Sequence, residues 1–204
     1  MSAELLVHVI DDDEAVRDSL EWVFETAEIP VRSYVSAVAF LEELGPEPSG
    51  CIVTDVRMPD MSGLDLLHAL RDRGVQIPVI VITGHGDVPL AVEAMRAGAQ
   101  DFLEKPFEEA RLLASVQRAF EYDAGRPVSK EQSDARERIA RLSQRERQVL
   151  KRLVNGQANK TVAWELGISA RTVEVYRAKL MEKMEAGAFA DLVRMALQAG
   201  DIEA

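Results

Sequence analysis

The chain has 204 residues, 47% hydrophobic and 29% charged, enough to bury a core in one large domain or two small ones. No apolar run approaches the roughly 20 residues a membrane helix needs, and MSAELLVHVIDDD has neither a basic segment nor a cleavage site, so no membrane association, no signal peptide and a cytoplasmic location are expected. One cysteine excludes an internal disulfide, Cys51 reads as a packed core thiol, and the net charge of -11 taken whole disfavours a nucleic-acid partner.

Short apolar runs at Leu6–Ile10, Val31–Val35, Cys51–Thr54, Pro78–Thr83 and Asp101–Leu103 read as five strands. Amphipathic segments alternate with them. Val16, Leu20, Val23, Phe24 and Ala27 share one face of a first helix, and Ser62 with Asp65 forms an N-cap pair opening a third. Val88–Ala99, with Leu90, Val92 and Met95, reads as a fourth helix, and Leu112, Leu113, Val116, Ala119 and Phe120 line a fifth. Five strands alternating with five helices predict an α/β domain: a doubly wound, flavodoxin-like parallel sheet covered on both faces.

Asp123-Ala124-Gly125-Arg126-Pro127 breaks the periodicity. Ser129 and Gln132 have capping-box spacing, so Ser129–Arg141 reads as a polar linker helix with little to bury. Ser143 and Glu146 form a clearer capping box, and Val149, Leu150, Leu153 and Val154 follow on one face until Asn155-Gly156. Asn159 then caps a short helix ending at Leu166-Gly167, Ser169 caps a longer one, and Phe189–Gln198 is the last. The expected division is a domain over 1–124, a linker over 125–141 and an all-α four-helix domain over 142–204. The charge divides with it: 1–124 holds 9 Lys+Arg against 24 Asp+Glu, a net of -15, whereas 125–204 holds 15 against 11, a net of +4.

In a doubly wound sheet ligands bind beyond the carboxyl ends of the strands. Asp11-Asp12-Asp13 follows the first strand, Asp55 the third, Thr83 ends the fourth and Lys105 follows the fifth. One of Asp11 to Asp13 is expected to be a helix N-cap. Converging carboxylates repel unless a cation neutralises them, and Mg²⁺ suits hard oxygen ligands while keeping waters that a phosphate can displace. A carboxylate can accept a phosphoryl group, and a lysine beside it offsets phosphoryl charge.

VHVIDDDEAVRDSL, IVTDVRMPDMSGLDLL, PVIVITGHGD and AGAQDFLEKPFE resemble, in order, the receiver domain of bacterial two-component response regulators over about 1–122. The resemblance implies Asp55 as phosphoacceptor and Asp11, Asp12, Asp55 and the Arg57 carbonyl as Mg²⁺ ligands. It also implies Thr83 and Lys105 as phosphoryl-binding residues, Phe102 as the aromatic switch, and a cis Lys105-Pro106 bond.

In the basic half, a short helix, a turn at Gly167 and a second helix make a helix-turn-helix pattern. On the second helix Val173, Tyr176, Leu180 and Met184 should face inward. Arg171, Val175, Ala178, Lys179 and Glu182 lie on the opposite face, with Thr172 and Glu174 at its edges, and such a face suits a major groove. Lys160 and Arg177 read as phosphate contacts. LSQRERQVLKRLVNGQANKTVAWELGISARTVEVYRAKLMEKM resembles the LuxR-type helix-turn-helix, with two departures: Tyr176 stands where many members have His, and Trp164 where a basic or polar residue is usual. Trp164 is left open between an exposed contact and packing. Together the halves most resemble the FixJ-like branch of response regulators.

The resemblance implies a regulator with no catalytic residues beyond its own phosphotransfer and dephosphorylation. A sensor histidine kinase would phosphorylate Asp55. Homodimerisation would follow through a surface including the fourth helix, then binding to double-stranded DNA and activation of transcription, with RNA polymerase a further partner. The charge split suggests that the unphosphorylated receiver restrains the DNA-binding half, so that isolated 142–204 would bind DNA better than the full chain. Two alternatives differ in class. One is a DNA-binding regulator independent of phosphorylation. The other is an aspartate-dependent phosphatase, disfavoured because its nucleophile would follow the first strand and a substrate-covering cap is lacking.

Overall fold

The computed structural model describes residues 6–45, 48–84, 88–123 and 128–200, with no side-chain description for 122, 123 and 128–132. Backbone proximity sorts the chain into two units: one takes the described parts of 1–85 and 97–126, the other those of 86–96 and 127–204.

The first unit is built on β1 (Val7–Ile10), β2 (Val31–Tyr34), β3 (Cys51–Asp55), β4 (Val79–Thr83) and β5 (Asp101–Glu104). They form one parallel sheet in the order β2-β1-β3-β4-β5, the expected flavodoxin-like arrangement. Every residue of β1, β3 and β4 is buried, as strands covered on both faces require, whereas edge strand β2 is only partly covered. Val35 lies just outside β2 and is exposed.

Helices α1 (Glu14–Thr26), α2 (Ala37–Glu43), α3 (Gly63–Asp72) and α5 (Glu109–Asp123) alternate with these strands. Leu20, Val23 and Phe24 of α1 and Leu112, Val116 and Ala119 of α5 close over Val7, Val9, Val53, Ile80 and Ile82 of the sheet. Phe24 has no exposed surface, and burying such a ring contributes about 1.5–3 kcal/mol. Cys51 is buried in this core, and burial pushes its thiol up to about 12, as suits an inert core residue. Asp13 is the member of its acidic run that caps a helix, accepting from Ala15 N at 2.9 Å. Ser62 and Asp65 complete the expected capping box of α3.

α4 (Val88–Ala97) stands between β4 and β5 in the chain, and its described residues up to 96 fall with the second unit. Val92 and Met95 are buried and Leu90 half-buried, so in this conformation these three offer little free surface to a second copy.

The second unit also holds α6 (Val128–Ala140), α7 (Gln144–Val154), α8 (Asn159–Leu166), α9 (Ala170–Met184) and α10 (Phe189–Ala199). Its interior includes Val149, Leu150, Leu153 and Val154 from α7, and Val162 and Ala163 from α8. Val173, Leu180 and Met184 of α9 and Leu192, Val193 and Ala196 of α10 complete it. The capping box of α7 forms as expected, with Lys183 Nζ adding a bond to Glu146 Oε2 at 2.8 Å. One capping expectation is corrected. Asn159 does not cap α8: the N-cap is Ala158, without a side-chain bond, and the Asn159 Oδ1 is buried with no partner among the described residues. The helix begins one residue earlier than the Asn signal suggested, which places that side chain inside the first turn.

α6 behaves differently from a polar linker. Ala135 and Ile139 are buried, and the helix packs on α10. Arg136 Nε donates to the Ala199 carbonyl at 2.9 Å and Arg138 Nη1 to the Met184 carbonyl at 3.0 Å. Two guanidinium groups thus meet carbonyls at the C-terminal ends of α10 and α9, where a helix leaves acceptors unpaired. The capping-box pair read at Ser129 and Gln132 lies outside the described side chains.

Candidate functional site: an acidic pocket and a basic helix face

Parallel pairing brings the first site together. Ile10 is in register with Thr54, so the next residues along, Asp11 and Asp55, end up side by side. Thr83 pairs with Glu104, and Lys105 N donates to the Thr83 carbonyl at 2.7 Å, which sets the lysine at the same end of the sheet. Lys105 Nζ lies 2.9 Å from Asp55 Oδ1 and 3.1 Å from Asp11 Oδ2. Asp11, Asp55 and Thr83 are buried, whereas Asp12 is exposed. The Lys105-Pro106 bond is cis, as expected, and Phe102 is buried in β5.

The loop after β3 holds Asp55 from the other side. Arg57 N donates to Asp55 Oδ2 at 2.6 Å. Gly63 N donates to the Val56 carbonyl at 3.0 Å, and a Cβ on Gly63 would collide with the Asp55 carbonyl oxygen. The glycine of the motif therefore lets α3 start directly against the acidic strand end. At the Asp11 turn, Asp13 N donates to Asp11 Oδ1 at 2.9 Å and Arg17 Nη1 to the Asp11 carbonyl at 2.8 Å.

The electrostatics are unbalanced toward negative charge. Burial raises the Asp11 pKa from its ordinary value despite the bonds from Asp13 N and Lys105. For Lys105, burial works to lower the pKa, but bonds to Asp55 and Asp11 outweigh it and the net shift is upward. Among the described residues no group of three or more His, Cys, Asp or Glu is arranged to hold a metal alone. Two buried carboxylates sharing one ammonium nevertheless fit Mg²⁺, which needs one or two carboxylates and keeps water in its remaining positions.

The second site is the outer face of α9. Arg171, Glu174, Val175, Ala178 and Lys179 are exposed there, and Lys160 is exposed on α8. Val173, Leu180 and Met184 face inward and Tyr176 is half-buried, as its place among them predicts. Two expected contact residues are engaged within the protein. Thr172 Oγ1 is 2.8 Å from Ser169 Oγ in the N-cap, and the Arg177 guanidinium sits over the Phe189 ring at 4.5 Å from its centroid. Gly167 adopts a left-handed conformation (φ 64°), which turns the chain between α8 and α9. Trp164, left open by the sequence, is 83% exposed.

Sequence reasoning missed two polar clusters. Asp101, buried at the start of β5, accepts from Phe102 N and Ser115 Oγ and pairs with Arg111 and Arg118. His8 on β1 is buried: its Nε2 donates to the Ser49 carbonyl at 3.2 Å, leaving Nδ1 to accept from Tyr34 Oη at 3.3 Å. Isolated polar residues in apolar strands were the available signal, but their partners are far away in sequence.

A parallel sheet in this order, with Asp11, Asp55, Thr83 and Lys105 at its carboxyl end, and a helix-turn-helix later in the chain define a class of two-domain regulator. Residues 7–117 match the response regulator receiver domain, and residues 140–196 match the luxR family of bacterial regulatory proteins. The chain belongs to the two-component response regulators that carry a LuxR-type DNA-binding domain, and it is a DNA-binding transcription regulator of that kind.

Among individual proteins, it is 58% identical to the transcriptional regulatory protein FixJ of Azorhizobium caulinodans, over 98% of this chain and 95% of that one. It is 50% identical to FixJ of Rhizobium meliloti, over 95% of this chain and 96% of that one. The crystal structure of full-length FixJ from B. japonicum covers 98% of this chain and all of its own at 46% identity, with a TM-score of 0.55. No helix among the described residues is long and apolar enough to cross a membrane.

Proposed function

We propose that this regulator is switched by phosphorylation of Asp55, received from the phosphohistidine of a sensor kinase. The observation that carries this reading is Lys105 Nζ bridging Asp55 and Asp11 across the ends of β1, β3 and β5. The P–N bond of the donor breaks as a carboxylate oxygen of Asp55 bonds to phosphorus. The amide of Arg57 and the ammonium of Lys105 hold the carboxylate in place for that attack. Asp11, Asp12, Asp55 and the Arg57 carbonyl would hold Mg²⁺, which when bound offsets charge on the phosphoryl oxygens. Thr83 donates to the phosphoryl group from the neighbouring strand end. Lys105 exchanges its two carboxylate partners for one carboxylate and the phosphoryl oxygens.

The phosphorylated side chain carries about two negative charges at neutral pH, against one on the free carboxylate. Drawing Thr83 and Lys105 toward it shifts β5 and α5, with Phe102 following from β5, and biases α4, which follows Thr83 in the chain. Two copies then associate through elements so biased and set their α9 helices about one DNA turn apart. The protein acts in the cytoplasm as an activator of transcription, with RNA polymerase a further partner, and catalyses nothing beyond its own phosphotransfer and dephosphorylation. Family membership supports these last points.

The test compares wild type with Asp55→Asn after treatment with a small-molecule phosphodonor and Mg²⁺. Wild type is expected to gain the mass of one phosphoryl group, dimerise and bind duplex DNA more tightly, while Asp55→Asn does none of these. Equal dimerisation and DNA affinity in the two proteins would overturn the phosphoswitch and favour regulation independent of phosphate.

A further inference from the structure

Trp164 is the most exposed large hydrophobic side chain among the described residues, at 83%. It stands on α8, the first helix of the helix-turn-helix, whose inner side is made by Val162 and Ala163. Successive helical residues turn by about 100°, so Lys160 and Trp164, four apart, share one outer strip, with Glu165 beside it. Glu165 faces α7: its carboxylate accepts from Arg152 Nε at 2.8 Å and from Gln157 Nε2 at 2.9 Å. The strip bearing Lys160 and Trp164 is therefore turned away from α7. α8 also packs against α9, the helix that carries the second site.

That strip joins Trp164 to Lys160, already read as a phosphate contact. Lys160 is exposed, as are Arg171 and Lys179 on α9, all on the half of the chain with a net charge of +4. The first helix of such a motif crosses the sugar-phosphate backbone while the second enters the major groove. An indole suits that position, because its flat apolar body can cover a deoxyribose while its N–H donates to a phosphate oxygen.

We propose that Trp164 packs on the deoxyribose-phosphate backbone flanking the bases read by α9, with Nε1–H donated to a phosphate oxygen and Lys160 on an adjoining phosphate. The contact anchors the register of α9 without selecting sequence. It replaces with shape and a neutral donor what a cation would supply by charge. The inference rests on the helix-turn-helix engaging duplex DNA.

The chain has two tryptophans, so Trp22→Phe leaves Trp164 as the only one. This full-length protein, treated with phosphodonor and Mg²⁺, is titrated at low salt with a short random-sequence duplex. Trp164 emission should change, and its quenching by acrylamide should fall as duplex binds. Trp164→Ala should weaken binding about three- to tenfold on every sequence tested, the scale of one lost contact. Trp164→Arg should restore affinity and steepen the salt dependence by about 0.9 in log–log slope. Both variants should keep wild-type circular dichroism, since the side chain is exposed. Emission and acrylamide access unchanged at saturation, or Trp164→Ala binding as tightly as wild type, would overturn the proposal; either result is what a Trp164 facing a polymerase or a second copy would give. Paired Arg171→Ala and Lys179→Ala substitutions separate the two failures. If they abolish binding while Trp164→Ala does not, only the Trp164 contact is wrong. If they leave binding unchanged, the assignment of the α9 face fails, and the Trp164 contact with it.

Discussion

Lys105 Nζ lies 2.9 Å from an oxygen of Asp55, and the same ammonium, 3.1 Å from Asp11, is shared between two buried carboxylates. Removing the amine should leave both acids without their cation. Lys105→Ala is expected to destabilise the sheet unit by about 1–3 kcal/mol, a range reduced for the partial exposure of the lysine. Because Mg²⁺ can take the place of the lost charge, it should raise the urea midpoint more in Lys105→Ala than in wild type. An equal shift in the two proteins would contradict this account of the pocket.

Gly63 has no room for a side chain beside the Asp55 carbonyl. Gly63→Ala should force the start of α3 and the end of β3 apart, at a cost of about 2–4 kcal/mol. The displacement falls on the phosphoacceptor itself, so phosphodonor labelling of Asp55 should slow as well. Unchanged stability with unchanged labelling would show that the close approach is relaxed in solution.

Glu146 gives the helical unit a dependence on acid. Bonds from Lys183 and the Ser143 cap hold its carboxyl down at about 2, against an ordinary 4.5. A folded pKa below the unfolded one contributes stability that is full above about 4.5 and lost as pH falls toward about 2. Glu146→Gln can keep the Ser143 cap but loses the charge that pairs with Lys183, and should therefore cost about 1–2 kcal/mol at pH 7, as for a charged hydrogen bond. The gap from wild type should narrow steadily on acidification below about 4.5. A gap independent of pH would locate the cost in packing.

His8 acts in the same direction nearer neutrality. Burial first, and the Arg32 charge to a lesser extent, lower its pKa below 6.5, against an opposing bond from Ser49. The folded state therefore disfavours the protonated ring, and stability should decline as pH falls below 6.5. His8→Phe, which can still pack in the ring cluster with Tyr34 and Phe40, should remove that part of the pH dependence. Identical slopes between pH 7 and 5 in wild type and variant would sink this reading.

α6 sets the boundary for dissecting the DNA-binding unit. A fragment of 128–204 should be more stable than one of 142–204 by about 2–4 kcal/mol, given two buried apolar residues and two arginines on helix-end carbonyls. Arg138→Ala should account for part of the difference by freeing the end of α9. Comparing DNA affinity of the full chain with a free effector unit accordingly calls for the longer fragment. Equal urea midpoints for the two fragments would make α6 a passenger.

Much of the architecture was legible in the sequence because its causes are local. Strand runs, helical periodicity and the Ser62 and Ser143 capping boxes each depend on residues within a turn or two, and each appears where expected. Asp55, Thr83 and Lys105 were legible as well, because strand ends in a doubly wound sheet converge whatever the loops between them do. Motif glycines such as Gly63 and Gly167 carry their reasons in their backbone positions.

Other features depend on partners far along the chain, and no local pattern encodes those. Arg111 and Arg118 reach Asp101 only once α5 lies over β5. His8 acquires its tautomer from Ser49 and Tyr34, 41 and 26 residues away. The arginines of α6 looked like solvated charge until the ends of α9 and α10 stood beside them. Arg177 looked free for DNA until Phe189 came under it. Trp164 is the reverse case, an aromatic that the packing leaves outside. The sequence determined which groups the chain carries and which surfaces they share locally; long-range packing decided which of them are spent on the protein itself and which remain for a partner.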